Sequence, residues 1–336
     1  MKIINILIAG LSFLAVVGCS KDDNGNGETN NPSEMKAAKL NITVKASGPT
    51  SATKADDDDP NALEGEKNIN NIQVITFNND GSQILATPYY SNSVSSTDGE
   101  ITVTGIATKA TRAVIAIVAN APSGMFDDVT SYDGFKAKIV QLSDQSQSNL
   151  TMSAQVITST TDLTSGENYL GYSTQTNINN LNTPIELTRL AARIELVGAT
   201  TNFSSKAALD GRTVRINSIQ VINQKTASLF ASTTYWGPVL VADNYSDGAV
   251  NSFTDLTFNA NSPLATTVYR HYVMENTDLN NPLFDSTKPT KIMVNATLLA
   301  TSDYQIETKS FVATINSNGL LQPWKHNYVK RNYIYR

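Results

Sequence analysis

The single cysteine, Cys19, is the residue of this sequence with the widest range of chemistry. A lone cysteine can act as a nucleophile, fill a core as a buried thiol or carry a lipid. Cys19 follows Lys2, an apolar run over 3–17 and the small residues of "VVG", a pattern typical of a secretory signal that ends in a bacterial lipidation motif. We therefore expect 1–18 to be removed as a signal peptide and Cys19 to be lipidated.

The loop "KASGPTSATKADDDDP" at 45–60 is the second stretch that suggests chemistry. Lys54 is its only basic residue between Lys45 and Lys67, so an Arg/Lys-directed protease would find one good target in a loose segment. The aspartates at 56–59 count against this, because trypsin-like enzymes cleave poorly beside acidic residues. They also lack the alternating spacing and the glycine of a calcium loop. An ordinary solvated surface loop remains the alternative.

The sequence contains no motif for a zinc site, a serine nucleophile or a nucleic-acid-binding surface. His271 and His326 are the only two histidines, and their spacing does not match a zinc site, so we expect both to be structural. The chain contains no G-x-S-x-G motif for a serine nucleophile. A net charge of −5 and the lack of a basic stripe argue against nucleic acid as a partner. The sequence thus predicts a protein that is not an enzyme, with no cofactor and no metal.

Alternation of period two dominates beyond a polar tether at 19–36 and predicts strands. The predicted strands are 39–44, 68–86 with a turn at "NNDG", 101–106, 112–121, 150–158, 168–173, 184–203, 213–230, 270–276, 290–300 and 309–316. The apolar run "AVIAIVA" within 112–121 predicts a strand in the middle of a sheet. Segment 124–142 has apolar residues at helical spacing and predicts one amphipathic helix packed on a sandwich. We place a boundary between two all-β domains at 184.

A set of short stretches, in order along almost the whole chain, resembles one known family. The stretches are "VVGCS", "LNITVKASGPTSATK", "INNIQVITFN", "RAVIAIVAN", "NYLGYS", "IELTRLAARIEL", "VINQKTASLFAS", "YVMEN", "PTKIMVNATLL" and "VKRNYIYR". Their order resembles the major fimbrial subunit (fimbrillin) family, which builds type V pili. The resemblance implies an all-β fold of two transthyretin-like β-sandwich domains in tandem, at 37–183 and 184–336, with one short helix in the first.

The resemblance also implies a function. Members are exported as lipoproteins to the outer membrane, with Cys19 as the anchor here, and join a cell-surface fimbria that supports adhesion. Their partners are other fimbrial subunits and an Arg/Lys-directed protease. Assembly follows donor-strand exchange, in which 37–54 would be the removable first strand and cleavage loop, with Lys54 as the cleavage site.

The strand that leaves would carry Leu40, Ile42 and Val44 out of a groove. The family continues beyond the position of Arg336 with a donor strand, so we expect this chain either to accept a strand without donating one or to be truncated. An alternative function is a monomeric, surface-exposed glycan-binding lipoprotein. Such proteins present exposed aromatic residues to sugars, and this chain has only two tryptophans, Trp236 and Trp324, beside thirteen tyrosines.

Overall fold

The computed structural model describes residues 35–48, 50–51, 62–176, 179–203, 205–206, 209, 211–230, 244–276, 287–317 and 327–336. Its elements up to residue 189 are β1 (Ala37–Ala46), β2 (Thr50–Ser51), β3 (Ile72–Asn78), β4 (Tyr89–Ser91), β5 (Glu100–Lys109), β6 (Ala113–Ala119), α1 (Tyr132–Lys136), β7 (Ile139–Gln141), a 3₁₀ turn (Leu142–Asp144), β8 (Met152–Ala154), β9 (Ile157–Thr158), β10 (Glu167–Leu170) and β11 (Ile185–Arg189). The later elements are β12 (Ala191–Ala199), β13 (Val214–Ile222), β14 (Gln224–Lys225), β15 (Ala227–Leu229), β16 (Tyr245–Ser246), β17 (Asn251–Ser252), β18 (Thr257–Phe258), β19 (Leu264–Met274), β20 (Lys291–Leu298), β21 (Glu307–Thr314) and β22 (Tyr333–Tyr335). The all-β prediction with one short helix is confirmed.

The first domain is built on one sheet with the order β10-β1-β11-β8-β6-β3-β4, to which β5 adds on β1 and β9 on β6. β6 pairs with β3 on one side and with β8 and β9 on the other, which confirms its predicted position in the middle of the sheet. Every residue of β3 and β6 is buried, because both faces of these strands are covered. A strand buried on both faces has no solvent-facing side, which explains the continuous apolar run.

The second domain packs two sheets against each other. One has the order β16-β14-β19-β12-β22-β2, and the other has the order β17-β13-β20-β21 with β18 on β13. Their facing side chains form one core that includes Ile194, Ile219, Val221, Tyr269 and Tyr333. β2 follows β1 in the chain but belongs to this second domain, where it pairs with β22.

The helix is much shorter than the predicted segment 124–142. Ser131 caps its first turn by accepting a hydrogen bond from the Gly134 N–H at 3.1 Å, and the helix ends after Lys136. The chain then forms β7, which pairs with β15 of the second domain. The apolar residues of 124–142 therefore lie in a turn, in one helical turn and in a strand. The strand forms because hydrogen bonds to the distant β15 replace the hydrogen bonds of a longer helix.

A third apolar cluster joins the two domains. Phe126 and Phe135 of the first domain and Phe230 and Met274 of the second are fully or almost fully buried in it. The rings of Phe126 and Phe230 meet edge to face with centroids 5.2 Å apart. Within the described parts of the chain, no helix is long and apolar enough to cross a membrane.

Candidate functional site

β1 lies between two ladders rather than at the edge of its sheet. On one side it pairs antiparallel with β5 along its whole length. On the other it pairs parallel with β10 over Lys39–Ile42 and with β11 over Val44–Ala46. If β1 were absent, a groove would therefore separate β5 from β10 and β11, with an unpaired strand edge on each side.

The core face of β1 carries the three side chains predicted from the sequence. Leu40, Ile42 and Val44 are each 0% exposed and belong to the core of the first domain. Burying an aliphatic side chain of this size stabilises a fold by about 1.5–3 kcal/mol, so the three contribute on the order of 5–9 kcal/mol as an upper bound. The strand is held mainly by this burial and by its two ladders.

A polar feature marks the middle of the strand. The ladder to β5 shifts register between Leu40 and Ile42, and the Asn41 side chain lies at the irregularity. Asn41 Oδ1 accepts from the Gly105 N–H at 3.0 Å, while Asn41 Nδ2 donates to Glu167 Oε2 at 2.7 Å. Gly105 has φ +73°, a left-handed conformation that suits glycine, and this lets β5 bulge around Asn41. The bulge fixes the register of β1, because a slip of one residue would turn the Asn41 side chain away from these partners and into the apolar core.

The end of β1 is held by side chains from two distant parts of the chain. Arg189 Nη1 donates to the Ser47 carbonyl at 2.9 Å, and Asn332 Nδ2 donates to the Gly48 carbonyl at 2.8 Å. The same Nη1 of Arg189 donates to Asn332 Oδ1 at 2.6 Å. Immediately beyond, β2 pairs parallel with β22. The segment from β1 to β2 thus crosses from the first domain to the second.

Glu66 contacts several of the charged and polar side chains near the segment that connects β1 to β2. It forms an ion pair with Arg193, and Tyr272 Oη donates to Glu66 Oε1 at 2.6 Å. Burial and the bond to Glu66 raise the pKa of Tyr272 well above its usual value. Burial lowers the pKa of Arg189, although Glu66 acts in the opposite direction. Glu66, Arg189 and Arg193 are each 3% exposed, so their charges are compensated by partners rather than by water.

A second carboxylate extends the network. Glu195 forms ion pairs with Arg193, Arg270 and Arg336 at 3.0 Å each. Burial acts to raise the pKa of Glu195, but the hydrogen bond from Arg336 and the charge of Arg193 outweigh it, so the pKa is lowered. β12 carries both Arg193 and Glu195, so one strand links the two carboxylates Glu66 and Glu195 through Arg193.

The structure brings together only some of the residues that the sequence suggested. Leu40, Ile42 and Val44 form one buried row. Cys19, Lys54, the aspartates at 56–59, Trp236, Trp324 and His326 lie outside the described residues. His271 is partly buried, its Nε2 is 2.6 Å from Gln224 Oε1, and burial lowers its pKa. Among the described residues, no cluster of three or more His, Cys, Asp or Glu side chains is placed to hold a metal ion.

Asn41, Arg189 and Asn332 were not predicted as functional residues. Arg189 occupies an inward position of "IELTR", where Ile185 and Leu187 are also buried. A charged residue in phase with a buried face is a usable signal, because such a group needs dedicated partners. Asn332 has φ +62°, a conformation in which asparagine is several-fold enriched, but its role depends on a contact 284 positions away in sequence.

Comparison with known proteins identifies the family. A model of the major fimbrial subunit protein (FimA) matches residues 38–189, and a model of the C-terminal domain of "Fimbrium tip subunit Fim1C-like" matches residues 190–336. The whole chain is 40% identical to the "Putative fimbrium tip subunit Fim1C" of Parabacteroides distasonis, over 86% of that protein. This chain belongs to the fimbrial subunit family.

Solved structures agree with this assignment. The fimbrial subunit resembles a crystal structure of a "putative cell adhesion protein" from Parabacteroides distasonis, with a TM-score of 0.78 and 39% identity over 89% of this chain and 86% of the other. It also has the fold of a fimbrilin from Porphyromonas gingivalis, with a TM-score of 0.59 and 18% identity over 89% and 88% of the two chains.

Proposed function

We propose that this chain is a structural subunit of an adhesive cell-surface fimbria, exported as a lipoprotein and assembled by protease-triggered donor-strand exchange. It has no catalytic activity in this proposal. The observation that carries the exchange is the position of β1, a single N-terminal strand that closes a groove between β5 on one side and β10 and β11 on the other.

Covalent attachment keeps this strand in place before assembly. A tethered strand has a high effective concentration at its own groove, so a strand from another subunit cannot compete with it. β2 ends at Ser51, so a cut after Lys54 would free one peptide that includes both β1 and β2. A strand from another fimbrial subunit could then pair with both exposed edges, as in other cases of strand addition.

The proposal assigns the remaining segments as follows. Cys19 would anchor the precursor in the outer membrane, and 19–36 would be the tether. The removable part is 37–54, and the two sandwich domains meet after Arg189 rather than at 184, because β11 (Ile185–Arg189) pairs with β1 and β8 of the first sheet. One cut by an Arg/Lys-directed protease would break the covalent link of the subunit both to its anchor and to β1, because both Cys19 and β1 lie before Lys54.

The cut can be tested in cells that make the fimbria. We expect the fibre form to begin at Ala55 by N-terminal sequencing and to lack the palmitate label that the precursor carries. Lys54→Gln should keep the label and fail to enter fibres, whereas Lys67→Gln, at an exposed position after the loop, should assemble normally. Fibres that retain residues 20–54, or a precursor still labelled after Cys19→Ala, would contradict the proposal.

A further inference from the structure

Two main-chain carbonyls in the segment after β1 are bound by side chains that come from different domains. Arg189 is the last residue of β11, and Asn332 immediately precedes β22. Their side chains donate to the carbonyls of Ser47 and Gly48, respectively. Arg189 is 3% exposed and Asn332 is 5% exposed. Buried donors that bind main-chain carbonyls do not depend on the side chains of the segment they hold.

The two donors are also held in position by the fold around them. Arg189 Nε donates to the Glu66 carbonyl at 2.9 Å, which fixes the plane of the guanidinium group. The main-chain N–H of Asn332 donates to the Ala191 carbonyl at 2.9 Å. Asn332 Oδ1 accepts from Arg189, so each donor orients the other. Such preorganised donors lose little freedom when they bind.

Arg189 also retains a donor that its present contacts do not use. Within the described ranges of the chain, its Nη2 is buried and has no hydrogen-bond partner. A buried donor without a partner costs free energy, so the site favours any occupant that supplies another acceptor. An extended chain supplies one carbonyl per residue.

We propose that Arg189 and Asn332 form a carbonyl clamp, a binding site for the main chain of whichever strand crosses from the first domain to the second. Before assembly the clamp holds the chain's own Ser47 and Gly48. After exchange it holds an extended segment of another subunit, whatever its sequence. The row of Leu40, Ile42 and Val44 selects side chains, whereas the carbonyl clamp fixes the register and direction of the crossing. This inference rests on the proposed strand exchange.

The test compares two peptides that differ by Ser47 and Gly48, the two residues whose carbonyls the clamp binds. Both begin at Ala37 and end in an amide; the long one ends at Gly48 and the short one ends at Ala46. Full-length mature protein is cut at Lys54, and the binding of each fluorescent peptide is measured as it replaces the cut segment. Two additional hydrogen bonds from buried donors, one of them charged, should make the long peptide bind about ten- to a hundredfold more tightly.

Asn332→Gly is the informative variant, because glycine tolerates φ +62° and only the amide is lost. Most of the preference for the long peptide should disappear, while the affinity of the short peptide should hardly change. Asn223→Gly is the matched control, since Asn223 also has a positive φ, of 56°, and its amide donates to the Pro289 carbonyl in the second domain. This control should keep the full preference.

The possible results of this binding experiment test the carbonyl clamp and the strand exchange separately. If the cut wild-type protein exchanges both peptides but shows no preference, or if Asn332→Gly weakens both equally, the carbonyl clamp is overturned and strand exchange stands. If the cut wild-type protein binds neither peptide, both proposals are overturned. The measured quantity is the ratio of the affinities of the two peptides for the same protein. A modest loss of stability in a variant affects both affinities alike and leaves this ratio unchanged. Arg189→Met offers a second variant with the same expected loss of preference.

Discussion

At the scale of single residues, the second domain buries a lysine close to its domain junction. Lys330 is 0% exposed, and its Nζ lies 5.6 Å from the centre of the Tyr333 ring. The charged groups nearby are Glu275 and Arg331, which pair with each other at 2.8 Å. Burial, with a smaller contribution from Arg331, lowers the pKa of Lys330 to about 5, although Glu275 acts in the opposite direction.

This pKa makes stability depend on pH in a defined direction. The folded protein holds Lys330 neutral above about pH 5, whereas the unfolded chain holds a lysine protonated below about pH 10.4. Between these values the unfolded state binds one more proton, so the free energy of unfolding should rise with pH. Lys330→Met removes this contribution. We expect the variant to melt at a higher temperature than the wild type at pH 6 and to gain less at pH 9.

Thermal melts of both proteins at pH 6 and pH 9 provide the measurement. Lys309→Met is the control, because Lys309 is exposed and its partner Glu307 is also at the surface. Its melting temperature should follow the wild type at both pH values. If the melting curves of Lys330→Met and the wild type shift in parallel between pH 6 and pH 9, Lys330 is charged in the folded protein.

At the scale of elements, β1 is a strand in the interior of a sheet that is also the first part of the described chain. Its neighbours β5, β10 and β11 all come later in sequence. The Asn41 bulge sets its register, and its alternating apolar row provides most of its stabilisation. In the proposed exchange, a replacement strand would have to match these two features, with alternating apolar side chains and a polar residue opposite Gly105.

Substitutions within β1 should separate its two faces. Ile42→Ala removes buried atoms from the core and should lower the free energy of unfolding of the uncut protein by about 2–5 kcal/mol. Lys39 points outward and pairs with Glu167 at 3.5 Å with both side chains largely exposed, so Lys39→Ala should cost less than about 1 kcal/mol. Urea unfolding of the two variants gives the comparison. Equal losses would show that β1 is not held by its core face.

Comparison of the elements with the sequence shows which strands local patterns can predict. Alternation predicted β1, β3 and β20, and a continuous apolar run predicted the middle position of β6. The same logic was wrong over 124–142, because β7 is formed by its pairing with β15 and not by local periodicity. The strand predicted at 213–230 is divided into β13, β14 and β15 by turns, one of them at Asn223 with its positive φ.

At the scale of the whole molecule, one continuous segment touches both domains. β1 completes the sheet of the first domain, the carbonyl clamp holds the crossing, and β2 extends a sheet of the second domain. The burial of Leu40, Ile42 and Val44 could be predicted from their alternation. The parallel pairing of β2 with β22 and the contact of Asn332 with Gly48 could not, because they join residues more than 280 positions apart.

The central claim is that this segment, once the loop is cut, can leave its groove and be replaced by a strand from another molecule. Native mass spectrometry of the mature chain, with an excess of a synthetic peptide of residues 37–51, tests it most directly. We predict that protein cut at Lys54 loses residues 19–54 and gains one peptide, while the uncut protein gains none. A cut protein that keeps residues 19–54, or an uncut protein that takes up the peptide equally well, would contradict the account.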